Sequence, residues 1–173
     1  MFEYTEQTVY ARTSIVRVKI FRGCVMIILH QIGKPVSDDF KKMYIVRKLD
    51  DDIKRQKFIH VPELSPGQIL FEKYRELARN NLWNEQTFQS VYLPVFLSEM
   101  SRKESLSILH KLAEDSYNEN IALCCYCDDE KICHRSIVGG ILKGMKANID
   151  CSGEYLEYYK IFISKSHPSP RNK

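Results

Sequence analysis

A chain of 173 residues, 44% hydrophobic and 28% charged, is long enough for one domain with a substantial core. Its formal net charge of +4 permits contact with nucleic acid without requiring it, since nucleic-acid-binding domains usually gather basic residues on one face. No stretch approaches the roughly 20 apolar residues of a membrane span, and no basic leader precedes an apolar run at the start. Three of the six cysteines crowd at positions 124, 125 and 127 instead of forming a spaced disulfide framework, so a cytoplasmic protein with reduced thiols is the expectation.

Residues 1–14 show no clear period and are read as an N-terminal arm, ahead of one domain over 15–163 and a basic, Pro/Ser-rich tail over 164–173 expected to be disordered. Val16, Val18 and Ile20 alternate with Arg17, Lys19 and Phe21 as in a half-buried strand. The apolar run Cys24 to Leu29 suits a fully buried strand, and Arg22-Gly23 between the two allows a hairpin or one bent strand. The loop over 30–39, with Gly33 and Pro35, falls at a sheet edge and offers His30 and Lys34 as polar candidates, although a solvated loop is the commoner role for such residues. The charged run Arg47 to Arg55 predicts a solvated helix face or loop, and Phe58 to Val61 a further short strand.

Helical signals follow. Ser65, Pro66 and Gln68 combine an N-cap hydroxyl, proline at the first helical position and glutamine at the third, predicting a helix through Ala78 with Leu70, Tyr74, Leu77 and Ala78 inward. A second helix after Asn84 would bury Phe88, Val91, Tyr92 and Val95 and bend at Pro94. A third, from a capping box at Ser101 to Glu104, would bury Leu106, Leu109, Leu112 and Ala113 and leave His110 at the surface. Trp83 and the aromatics around it could stack bases, but helical spacing favours a core role. Tyr155 to Ile163 has the composition of a strand.

The stretch from Ile121 to Arg135 organises the rest. It reads as a short apolar strand ending near Cys127, an acidic turn, and Cys133-His134-Arg135 opening a helix marked by Ile137, Val138, Ile141, Leu142 and Met145. Strand alternation puts Cys125 and Cys127 on one face. A phosphatase-type loop would need arginine six residues after a cysteine, and Glu130, Lys131, Cys133 and Gly139 occupy those places. Zinc would need a fourth ligand beside Cys127, Cys133 and His134, and the spacing is not that of paired knuckles, so no metal and no cofactor are expected. Cys133, at a helix N-terminus beside His134, is the candidate nucleophile or redox centre, with His134 as proton shuttle, although small buried cysteines are common. Arg135 and the helix N-terminus suit a phosphate or carboxylate, with Tyr74 and Arg75 facing the same cleft. Alternatively, His134 and Arg135 staple the helix start to Asp128 or Asp129.

Strand, acidic turn and Cys133-His134-Arg135 together resemble the C-terminal signature of the domain of unknown function 488 family. Leu64-Ser65-Pro66, followed by Leu70 and the pair Tyr74-Arg75, resembles the segment that precedes a helix in that family, and the likeness spans residues 15–145. It implies site roles for Ser65, Tyr74 and Arg75. One departure stands out: where the family usually carries Glu, two residues after the first motif cysteine, this chain has Cys127. The expected architecture is a single α/β domain, a mainly parallel sheet with flanking helices over 66–114. The leading functional expectation is binding or processing of a nucleotide or nucleic acid at the strand-to-helix junction. A cysteine-dependent enzyme using Cys133, and an interaction module with a structural Cys-His-Arg motif, are the alternatives.

Overall fold

In the computed structural model, residues 4–11, 14–21, 25–54 and 58–166 are described. Tyr4–Ala11 (β1) and Ser14–Phe21 (β2) form a two-stranded antiparallel sheet, with Tyr4 paired to Phe21 and Ala11 to Ser14. The expected arm is therefore, over 4–11, a strand. Its register follows its partner, so an apolar period was not needed to define it. The partner of β2 is β1 and not the strand that follows, while the turn expected at Arg22-Gly23 lies outside the described residues.

Five further strands make a fully parallel sheet. They are Ile27–Gln31 (β3), Lys41–Tyr44 (β4), Ile59–His60 (β5), Ile121–Cys125 (β6) and Ile149–Asp150 (β7), in the order β5-β4-β6-β3-β7. A central strand of a parallel sheet is covered on both faces, which is why Ile121-Ala122-Leu123-Cys124-Cys125 is an unbroken apolar run with every residue buried. β4 falls between the expected loop over 30–39 and the charged run from Arg47, where no strand was expected, because Lys41 and Lys42 mask a strand that pairs on both sides. The architecture is α/β.

The helices are Asp51–Lys54 (α1), Gln68–Arg79 (α2), Glu85–Thr87 (α3), Leu93–Met100 (α4), Lys103–Asp115 (α5), His134–Gly144 (α6) and Leu156–Ser166 (α7). None is long and apolar enough to cross a membrane. Ile27, Ile121 and Leu123 on one sheet face join residues of α2, α4, α5, α6 and α7 in the larger core cluster. On the other face Ala122, Cys124 and Tyr44 pack with Val46, Leu49 and Ile53 around α1.

Several local expectations are revised. Ser65 does not cap α2: its Oγ donates to Pro62 O at 2.6 Å and closes the 3-10 turn Pro62–Leu64. The N-cap of α2 is Gly67, whose N–H donates to Glu99 Oε2 at 2.8 Å. Ser101 likewise finishes α4 through Leu97 O instead of opening α5, whose N-cap is Arg102. Leu70 and Leu77 are buried, but Ala78 and Val95 face solvent. His110 is exposed, as expected.

Asn84 caps α3 in a reciprocal pair with Thr87, and a five-residue π turn, Phe88–Tyr92, carries the chain into α4. Leu93 N–H donates back to Phe88 O, so the hydrogen-bond ladder shifts register just ahead of Pro94, which has no N–H to give. The strand expected over 155–163 is instead a 3-10 turn, Gly153–Tyr155, leading into α7. Tyr155, Tyr158 and Phe162 recur at three and four residues and are buried, and helical burial against α6 overrides strand-like composition. Of the tail, Ser164 to Ser166 belong to α7 and 167–173 lie outside the described residues.

Candidate functional site at the strand-to-helix junction

β6 ends at Cys125, two residues before the expected end, and α6 begins at His134 with Cys133 as an extended N-cap at φ −124° and ψ 145°. The intervening turn brings four side chains together. Cys125 Sγ lies 3.5 Å from Cys127 Sγ and 3.6 Å from Cys133 Sγ. His134 Nδ1 lies 3.8 Å from the sulfurs of both Cys125 and Cys133. The four potential donor atoms all fall within 4.8 Å of one another. His134 Nε2 sits 2.7 Å from Ile45 O, an acceptor only, so Nε2 carries a proton and donates there, while Nδ1 faces the sulfurs. The same bond ties the start of α6 to the end of β4.

The three thiols are not equivalent. The Cys125 thiol is pushed down to about 3, first by its hydrogen bond to Cys127 and then by that to Cys133, against the opposing effect of burial. Cys133 is 2% exposed and its thiol is raised well above the ordinary value, first by burial and then by its neighbours' sulfurs. By direction, ionisation in the cluster is favoured at Cys125 and disfavoured at Cys133, whose sulfur is also closed to solvent. Cys127 is the half-buried member. Cys124, on the other face, donates to Ala122 O and is pushed up to about 12 by burial.

A cavity of about 580 Å³ opens over this cluster. It lies beyond the C-terminal ends of β4 and β6, where open α/β sheets usually hold ligands. Val46, Arg47 and Lys48 after β4, Phe71, Tyr74 and Arg75 of α2, Trp83, and the loop from Tyr126 to Asp129 line it. Tyr74 and Trp83 meet edge to face at 4.7 Å and form an aromatic wall. Behind it Phe88, Tyr92 and Phe96 stack successively at 5.6 and 5.8 Å, and Phe96 packs on the His134 ring at 5.7 Å. Trp83 is thus partly core and partly cavity wall. Lys48 and Arg75 are exposed cations at the cavity, while the Arg47 guanidinium donates to Pro66 O. Asp128 and Asp129 are engaged by Gln31 Nε2 and by Lys131 N–H.

Of the sequence candidates, the structure gathers Cys127, Cys133, His134, Tyr74 and Arg75 around one cavity. Arg135 is not among them. It is 3% exposed, and its Nη1 donates to His30 O at 3.0 Å and Cys125 O at 3.4 Å. Its Nε, buried without a hydrogen bond, is 3.7 Å from Glu130 Oε2. The guanidinium thus binds carbonyls at the C-terminal ends of β3 and β6 in place of a ligand anion, and it pairs with Glu130 instead of Asp128 or Asp129. Ser65 is buried in its own turn, and His30 contacts Lys34 O away from the cavity. Cys125, Arg47 and Lys48 were missed as site residues. Strand alternation did put Cys125 beside Cys127, but a strand end set two residues late buried it in the sheet.

The DUF488-N3a family model, described as the active DUF488-N3 subclade, matches residues 27–146, from β3 to just past α6. No curated protein and no solved structure matches the chain. The match covers 120 of 173 residues, including the residues that line the cavity and Cys133-His134-Arg135. The chain belongs to the DUF488 family, in its N3a branch.

Proposed function

We propose that the protein binds a nucleotide or a segment of nucleic acid in the cavity over the cysteine–histidine cluster. The observation that carries this reading is the convergence of an aromatic wall, Tyr74 and Trp83, with two exposed cations, Lys48 and Arg75, on a single cavity. Aromatic faces stack bases regardless of their sequence, and basic side chains neutralise phosphates. The volume, about 580 Å³, is in the range of small-molecule sites. Within it the half-buried Cys127 is the sulfur that meets the ligand. The anion-binding role expected of Arg135 passes to Lys48 and Arg75.

Trp83 is the chain's sole tryptophan and stands in the cavity wall, so its fluorescence reports occupancy directly. Titration with nucleotides, short DNA and RNA oligomers and inorganic phosphate should quench or shift that emission for at least one of the first three. At 100 times Kd the same ligand should stabilise the fold by about 2.7 kcal/mol. The double substitution Lys48→Ala, Arg75→Ala, at exposed positions, should leave the unliganded protein folded and weaken binding at least tenfold. Absence of any response across the panel, or binding untouched by the double substitution, would overturn the proposal.

A further inference from the structure

We infer that Cys125, Cys127, Cys133 and His134 form a tetrahedral site for a single zinc ion, with three sulfurs and His134 Nδ1 as ligands. Its basis is the arrangement of donor atoms, independent of what occupies the cavity above. A tetrahedron with Zn–S of about 2.3 Å and Zn–N of about 2.0–2.1 Å has S···S edges of about 3.8 Å and S···N edges of about 3.5 Å. Of the six edges here, the S···S separations from Cys125 to Cys127 and Cys133 are 3.5 and 3.6 Å, His134 Nδ1 is 3.8 Å from Cys125 and from Cys133, and the two edges from Cys127 to Cys133 and to His134 lie within 4.8 Å. Four donors from two chain segments thus stand close to the spacing a bound ion imposes, and the edges to the half-buried Cys127 have the most to close.

The surroundings match a metal site as well. A ligating histidine usually donates its other ring N–H to a carbonyl or carboxylate, which sets the tautomer and aims the free nitrogen at the metal. His134 does this through Nε2 and Ile45 O at 2.7 Å, and Phe96 holds the ring from the side. Three thiolates and a dication leave one negative charge. The buried Arg135 guanidinium, at the Cys125 carbonyl, supplies the opposite charge nearby. Soft sulfur donors select zinc over magnesium or calcium, which take oxygen. The fourth ligand that sequence spacing could not supply is Cys125, and the cysteine standing where the family usually has glutamate, Cys127, completes the set.

Cobalt(II) titration of the metal-free, fully reduced protein tests this. The expected result is one equivalent bound, with the strong visible bands and near-ultraviolet sulfur-to-metal charge transfer of tetrahedral thiolate coordination, displaced stoichiometrically by zinc. Zinc alone should raise the thermal midpoint of the wild type. Cys127→Ser, at the half-buried member, should leave a folded protein that binds roughly 100-fold more weakly or worse, beyond the 10- to 100-fold that loss of an outer-shell partner costs. Cys151→Ser, at a thiol outside the cluster, should change neither spectrum nor affinity. No tetrahedral cobalt spectrum in the reduced wild type would overturn the inference. So would a Cys127→Ser protein that binds as tightly as the wild type, or loss of binding on Cys151→Ser alone.

Discussion

Arg135 shows what a single buried cation does at the end of a sheet. Its bonds to His30 O and Cys125 O clamp the C-terminal ends of adjacent strands β3 and β6 to the first turn of α6. Hydrogen bonds from a charged group contribute about 1.5–3 kcal/mol each, and removing one partner leaves carbonyls without a donor. Arg135→Ala should therefore lower stability by about 3 kcal/mol or more in urea denaturation, and Arg135→Lys should recover only part, because an ammonium lacks the planar fork. A change within about 0.5 kcal/mol, the range of an uncommitted surface residue, would refute the clamp. Sequence spacing put Arg135 at the right junction and left open whether its cation serves a ligand or the fold. Side-chain direction decides that, and nothing in Cys133-His134-Arg135 as a string encodes it. Cys125 was obscured for a related reason. In an apolar run a cysteine is indistinguishable from a small core residue until the strand's end is located.

At the scale of elements, α6 is fitted to its neighbours by small residues. A Cβ at Gly140 would fall inside the Tyr155 carbonyl, one at Gly144 inside the Tyr159 ring, and one at Gly139 would meet Leu29 Cδ1 at 2.9 Å. Gly140 is the strictest of the three, since the obstacle is backbone. Glycine-to-alanine in a helix would otherwise gain about 0.8–1.0 kcal/mol from propensity. Here overpacking should dominate, and Gly140→Ala should destabilise by about 1–3 kcal/mol on thermal or urea melts. A stabilised variant would mean that the turn ending at Tyr155 yields and that the close approach is not required. Legibility at this scale varied with how local the cause is. Periodicity found α2, α5 and α6 because their apolar stripes are complete in themselves. Caps were misassigned at Ser65 and Ser101, whose hydroxyls serve the preceding turn, a choice between two local bonds that spacing cannot make. α7 was hidden because Tyr, Ile and Phe favour strands, and only the face of α6 shows that the spacing of Tyr155, Tyr158 and Phe162 is the feature that counts.

At the scale of the whole molecule, the parallel α/β sheet was legible from its central strand, while the order β5-β4-β6-β3-β7 was not, because β5 and β7 are two residues each. Strands that short carry no periodicity, and their place comes from crossovers and from the helices above them. The family match ends at residue 146, before β7 and α7. The core does not end there. Tyr155, Tyr158 and Phe162 belong to the main apolar cluster, Tyr158 packs edge-on to Phe88 at 6.3 Å, and Tyr155 OH donates to Glu130 in the turn that leads to the cysteine cluster. Burying an aromatic of this size contributes about 1.5–3 kcal/mol, so three of them compare with the entire 5–15 kcal/mol by which a domain is stable. A protein cut back to the matched residues 27–146 should consequently lose cooperative unfolding, whereas one spanning 25–166 should keep it, as followed by circular dichroism in urea. If 27–146 alone unfolds cooperatively with the longer protein's midpoint, α7 is an accessory on this branch of the family instead of part of its core.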